Sequence, residues 1–87
     1  MTYQVQFDSK AEHDLERLST DVLRRVDASI VALASDPRPR GARKLQGRES
    51  PGWRVRVGEY RILYMIDDER QVVSVYRIKP RGSAYRA

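Results

Sequence analysis

Apolar residues recur along this chain in two rhythms, and the switches between them predict its elements. In "YQVQF", Tyr3, Val5 and Phe7 alternate with polar neighbours, the period of a strand with one buried face. From "DSKAEHDLERLS" onward the period changes. Ala11, Leu15 and Leu18 fall at i, i+4 and i+7, one face of a helix. Ser9 followed by Glu12 forms a capping box, with Asp8 as the alternative cap. "STD" at 19–21 interrupts the pattern and recaps it. Val22, Leu23, Val26, Ile30 and Leu33 then keep helical spacing to about Ser35. A residue before proline is driven out of the helical region, so Asp36-Pro37 ends the second helix. Two antiparallel helices with a short connection are expected.

Residues 37–52, "PRPRGARKLQGRESPG", lose the periodicity. This is a long loop for a small domain, and loops of such length often carry function. Its basic residues, Arg43 and Lys44 among them, suit either phosphate contacts or ordinary surface charge. Alternation returns in three strands, at about 53–57, 60–67 and 72–79. Gly58-Glu59 makes a two-residue type II′ hairpin, and "DDER" supplies the next turn. The order β-α-α-β-β-β predicts an α+β domain spanning residues 1–87, an antiparallel sheet with a helical hairpin packed on one face.

The first hairpin sets which residues face each other. Val57 falls opposite Tyr60, Val55 opposite Ile62, and Trp53 opposite Tyr64, an apolar face directed at the helices. On the other face Arg56 falls opposite Arg61, and Arg54 opposite Leu63. Continued through the second turn, the register places Leu63 opposite Ser74 and Arg61 opposite Tyr76. Arg54, Arg56 and Arg61 thus cluster on the face away from the helices. Like charges directly opposite cost roughly 0.2–1 kcal/mol, while the acidic residues Glu59 and Asp67 to Glu69 sit at the turns. Guanidiniums on stiff strands make a preorganised fork for phosphate oxygens. A solvated polar face is the plainer alternative.

Charge sharpens this picture. The chain has 87 residues and a net charge of +5. Residues 1–37 carry four basic and seven acidic groups, whereas residues 38–87 carry thirteen basic and five acidic ones. The C-terminal part is built to meet an anion, and nucleic acid is the commonest such partner. There is no cysteine and a single histidine, His13, which excludes disulfides and a zinc site and suits a reducing cytoplasm. No apolar run approaches the roughly 20 residues that span a bilayer, so no membrane partner is expected. The tail "YRIKPRGSAYRA" gathers Arg77, Lys79, Arg81, Tyr85 and Arg86. Gly82 permits a turn that folds Arg81 and Tyr85 over the sheet, where an aromatic beside arginines suits unpaired RNA. Tyr85 could equally pin the C-terminus to the core.

"KLQG" at 44–47, "WRVRVGEYRILYMIDDE" at 53–69 and "VVSVYRIKPRGSAYR" at 72–86 resemble the RelE/ParE toxin superfamily over nearly the whole chain. The resemblance implies a single RelE-like domain, the toxin of a type II toxin–antitoxin pair, with an acidic RelB-like antitoxin as partner. RelE-type members cut mRNA in the ribosomal A site to a 2′,3′-cyclic phosphate and a 5′-hydroxyl. ParE-type members instead poison DNA gyrase. The RelE-type positions are filled here by Arg54, Arg56, Arg61, Arg81 and Tyr85, which implies the catalytic set. Arg43, Lys44, Arg77 and Lys79 are candidates for RNA contacts. The chain departs from the pattern in two ways: arginines replace the lysines usual at 54 and 56, and "KPR" replaces a common histidine. No cofactor or metal is implied, because the nucleophile is the RNA's own 2′-hydroxyl. A gyrase inhibitor and a non-catalytic RNA-binding module are the competing readings.

Overall fold

Asp8, rather than Ser9, starts the first helix. In the structure, a computed structural model that describes residues 2–46 and 51–80, strand β1 runs Gln4–Phe7 and helix α1 Ser9–Glu16. Asp8 is extended, and its carboxylate accepts from the Ala11 N–H at 3.0 Å. The Ser9–Glu12 capping box is thereby corrected: Ser9 already lies in the first helical turn, and the carboxylate one residue earlier caps instead. Ser19 caps helix α2, Thr20–Ser35, by accepting from the Val22 N–H at 3.4 Å. Asp36 leaves the helical region before Pro37, as its place before proline requires.

Strand β2 (Arg43–Lys44) lies inside the long loop, and β3 (Trp53–Val57), β4 (Tyr60–Asp67) and β5 (Val72–Pro80) follow. The sheet order is β1-β5-β4-β3-β2. Strand β1 pairs with β5 in parallel, Gln4 opposite Val72 through Phe7 opposite Val75. The α+β architecture with the helices on one face stands, but the sheet is mixed rather than antiparallel throughout. Alternation in "YQVQF" specifies which side chains are buried, not which way the strand runs.

Gly58 adopts φ +57° while Glu59 keeps a negative φ, the signs of a type II′ turn. All five expected pairs across β3 and β4 form, from Val57 opposite Tyr60 to Trp53 opposite Tyr64. The core lies between this face and the helices. Ala11, Val26, Ile30 and Leu33 meet Ile62, Tyr64, Val73, Val75 and Ile78 there, and Trp53, Val55, Val57 and Tyr60 pack against them. Each fully buried aliphatic side chain contributes about 1.5–3 kcal/mol, and together they hold the sheet as a stiff plate.

The second hairpin corrects the sequence register. Leu63 pairs with Arg77, not Ser74, and Arg61 pairs with Lys79, not Tyr76; the ladder shifts between Leu63 and Tyr64. Tyr64 faces Val75, so Tyr76 is the extra residue of a β-bulge. The cause is packing. Val73, Val75 and Ile78 are all buried, and a spacing of two followed by three keeps them on one face only if a residue is inserted.

Candidate functional site

The shifted ladder puts three cations across one rung of the sheet. Arg56 on β3 is directly opposite Arg61 on β4, and Arg61 is directly opposite Lys79 on β5. Neighbouring strands lie about 4.8 Å apart, so the three side chains of this rung leave the sheet close together. The next rung holds Arg43, Arg54 and Leu63 in the same way, Arg43 opposite Arg54 and Arg54 opposite Leu63. The helices pack on the opposite face, and this helix-free side is called the open face, although Leu63 on it is buried.

Charge balance on the open face is one-sided. Among the described residues the ion pairs are His13–Glu16, Arg38–Asp68 and Arg77–Asp14, and none involves Arg43, Arg56, Arg61 or Lys79. The Arg61 Nε is buried and has no hydrogen-bond partner among the described residues. A buried charged donor without an acceptor is costly, and native proteins rarely tolerate one unless a ligand or a reaction uses it.

Other candidate residues are placed differently. Lys44 is opposite Trp53, one position out of phase with Arg43, so it belongs to the other face of β2. Arg77 shares the Leu63 rung, yet its guanidinium is drawn to Asp14 on α1, at 2.8 Å from Nε and 3.3 Å from an Nη. The same carboxylate accepts from the Ile78 N–H at 2.8 Å. Strand β1 stops opposite Val75, and the Asp14 side chain serves the β5 edge beyond it. Burial pushes the Asp14 carboxyl up, but the hydrogen bonds from Arg77 and Ile78 hold it below its ordinary value. Arg77 therefore braces α1 against the sheet. Arg81 and Tyr85 lie outside the described residues.

The long loop is tied to the sheet from both faces. On the core side the buried Tyr64 hydroxyl donates to the Pro37 carbonyl at 2.7 Å, and burial pushes its pKa up to about 12. On the open side the Tyr76 hydroxyl donates to the Pro51 carbonyl at 2.6 Å. Gly52 (φ +91°) passes so close over β4 that a Cβ would lie 2.3 Å from the Tyr64 carbonyl oxygen. Arg38 anchors the loop's start. It binds Asp68 through both terminal nitrogens, at 3.2 and 2.9 Å, and lies 5.2 Å from the centre of the Trp53 ring.

Sequence reasoning found the arginine cluster but not the place of Lys79 beside Arg61, nor Tyr76. The spacing of Val73, Val75 and Ile78 carried the signal for both. The Arg77–Asp14 pair, 63 positions apart, had none.

Comparison with known proteins decides the family. Residues 5–85 match the family model described as ParE toxin of type II toxin-antitoxin system, parDE. The chain belongs to the RelE/ParE toxin superfamily. It is 36% identical over 88 residues to Toxin RelG of Mycobacterium tuberculosis, covering 99% of both chains. The RelE–RelB complex of Pyrococcus horikoshii OT3 contains a chain with a TM-score of 0.82 and 30% identity, covering 94% of this toxin and 98% of that chain. The toxin–antitoxin complex RelBE2 of M. tuberculosis gives a TM-score of 0.81 and 35% identity, with 93% of each chain covered. The fold of this RelE/ParE toxin is thus the RelE-like one.

Proposed function

We propose that this toxin is a ribosome-dependent endoribonuclease that cuts mRNA in the A site, acts in the cytoplasm, and is restrained by an acidic RelB-like antitoxin. The rung Arg56–Arg61–Lys79, with the Arg61 Nε buried and unpartnered among the described residues, carries the reading. The likeness to RelG and to the RelE chains of two toxin–antitoxin complexes supports it, and supports an antitoxin as partner.

The RNA 2′-hydroxyl attacks its own adjacent phosphorus. The 2′-oxygen–phosphorus bond forms, the bond to the 5′-oxygen breaks, and a 2′,3′-cyclic phosphate and 5′-hydroxyl result. Negative charge grows on the pentacoordinate phosphate, where fixed cations act most strongly. Arg56 and Arg61 supply them from the strands, and Arg54 holds a neighbouring phosphate. The family resemblance adds Arg81 to this set and gives Tyr85 the proton from the 2′-hydroxyl; Arg81 or water protonates the leaving oxygen. Arginine keeps its charge at every working pH, so the strand residues act by electrostatics rather than proton transfer. The ribosome orders the message for in-line attack.

Primer extension on mRNA from a translation reaction tests this. Wild-type toxin yields discrete cuts within translated codons, and Arg61→Ala lowers their rate about 10²–10³-fold, the usual loss for one transition-state donor. One observation favours a second reading, inhibition of DNA gyrase: the matching family model is the ParE one. Intact mRNA with arrested DNA replication selects that reading and rejects cleavage.

A further inference from the structure

The bulged residue Tyr76 has no part in the chemistry above, yet it reaches across the open face. Val75 points into the core, so Tyr76 stands on the other side, and its hydroxyl meets the Pro51 carbonyl at 2.6 Å. Between them lies β4. Leu63 is 3% exposed although it stands outside the main core cluster, so this side of the sheet has a small cover of its own. A Cβ on Gly52 would meet the Met65 sulfur at 2.8 Å as well as the Tyr64 carbonyl, which sets the loop's return directly on β4.

This contact is linked to a cation of the site. Pro51 is followed by Gly52, whose carbonyl accepts from the Leu45 N–H at 2.8 Å. Leu45 directly follows β2, a strand of two residues paired only with Trp53 and Arg54. Strand β2 is the sheet's outer edge, and an edge of that length holds poorly by its ladder alone. Arg43 sits on it, opposite Arg54 and exposed. The arginines of β3 and β4 are fixed by a five-pair ladder; Arg43 depends on the path from Tyr76 through Pro51, Gly52 and Leu45.

We propose that Tyr76 is a positioning residue: its hydroxyl clamps the chain at Pro51–Gly52 beside Leu45 and thereby holds Arg43 on the open face as an additional phosphate contact beside Arg54. The proposal rests on the RNA-cleavage reading and adds a second phosphate subsite, at the β2 edge, to the Arg56–Arg61–Lys79 rung. The bulge serves it, because without the inserted residue Tyr76 would not stand between Val75 and Ile78 on this face. Burial raises the Tyr76 phenol above its ordinary value, so the donor proton is retained at working pH.

Affinity for a single-stranded RNA oligonucleotide, measured against salt concentration, tests the proposal. Each phosphate contact contributes about 0.7 to the slope of log affinity against log salt. Tyr76→Phe and Arg43→Ala should each lower the slope by about that amount, and the double variant should lower it no further, because both act on one contact. Arg61→Ala should still lower the slope in the Tyr76→Phe background. An unchanged slope in Tyr76→Phe, or additive losses with Arg43→Ala, overturns the proposal, whatever the change in thermal stability. Wild-type protein without salt-dependent RNA affinity also overturns the proposal, whereas absence of mRNA cuts in the primer-extension experiment is what fails the RNA-cleavage reading on which it rests.

Discussion

The two faces of the sheet are made from alternate residues of the same strands and obey opposite rules. On the helix side Ile62, Tyr64, Val73, Val75 and Ile78 are buried among apolar neighbours. On the open side Arg43 faces Arg54, Arg56 faces Arg61, and Arg61 faces Lys79. The first face lowers the free energy of folding. The second raises it, by roughly 0.2–1 kcal/mol for each facing like-charged pair. A small domain tolerates the charged face because the apolar face is complete. The difference teaches that adjacent positions on one strand answer separately to stability and to function.

The sharpest way to break that comparison is to substitute neighbours. Ile62→Ala removes a fully buried side chain and should cost about 2–5 kcal/mol, read as a lower urea midpoint. Arg61→Ala, one residue earlier, should leave the midpoint within about 0.5 kcal/mol while removing most RNA cleavage. If Arg61→Ala unfolds the protein, the two faces are not separable.

Tyr64→Phe tests the core side at finer scale. It deletes only the hydroxyl that donates to the Pro37 carbonyl, and a buried acceptor left unpaired costs about 1–3 kcal/mol. Chemical denaturation should show that loss, with cleavage by the folded protein unchanged. If cleavage falls as well, the loop's core-side tether also shapes the open face.

The smallest expected effect is acid sensitivity at the rim. Hydrogen bonds from Arg38 and then Tyr3 hold the Asp68 carboxyl below its ordinary 3.8, at about 2. A carboxylate whose folded value is depressed stabilises the fold above the unfolded value and loses that contribution as pH falls toward the folded one. Stability should therefore decline between pH 3.8 and about 2, and Asp68→Asn should flatten this part of the profile measured by thermal melting. Asp68 is exposed, so solvent keeps the effect small. An identical acid limb in the variant would remove Asp68 from the account.

Much of the fold was legible in the sequence because periodicity reports burial directly. Strands β3 and β4, the Gly58 turn and every pair between them follow from "WRVRVGEYRILY". So does the cluster of Arg54, Arg56 and Arg61, since a two-residue hairpin leaves no freedom of register. Of the two caps the sequence offers, Ser9 and Asp8 present similar acceptor chemistry one residue apart, and only the path of the chain out of β1 selects Asp8.

What the sequence by itself determined is the apolar rhythm, the turn chemistry and the gathering of positive charge beyond residue 37, for these depend on residues near one another in the chain. Tertiary structure alone decided the parallel entry of β1, the bulge that brings Lys79 to Arg61, and the capture of Arg77 by Asp14. Each of these joins groups far apart in sequence. The energy that selects them, burial of Ile78 on the core face and a partly buried carboxylate finding its donors, exists only once the helices lie against the sheet.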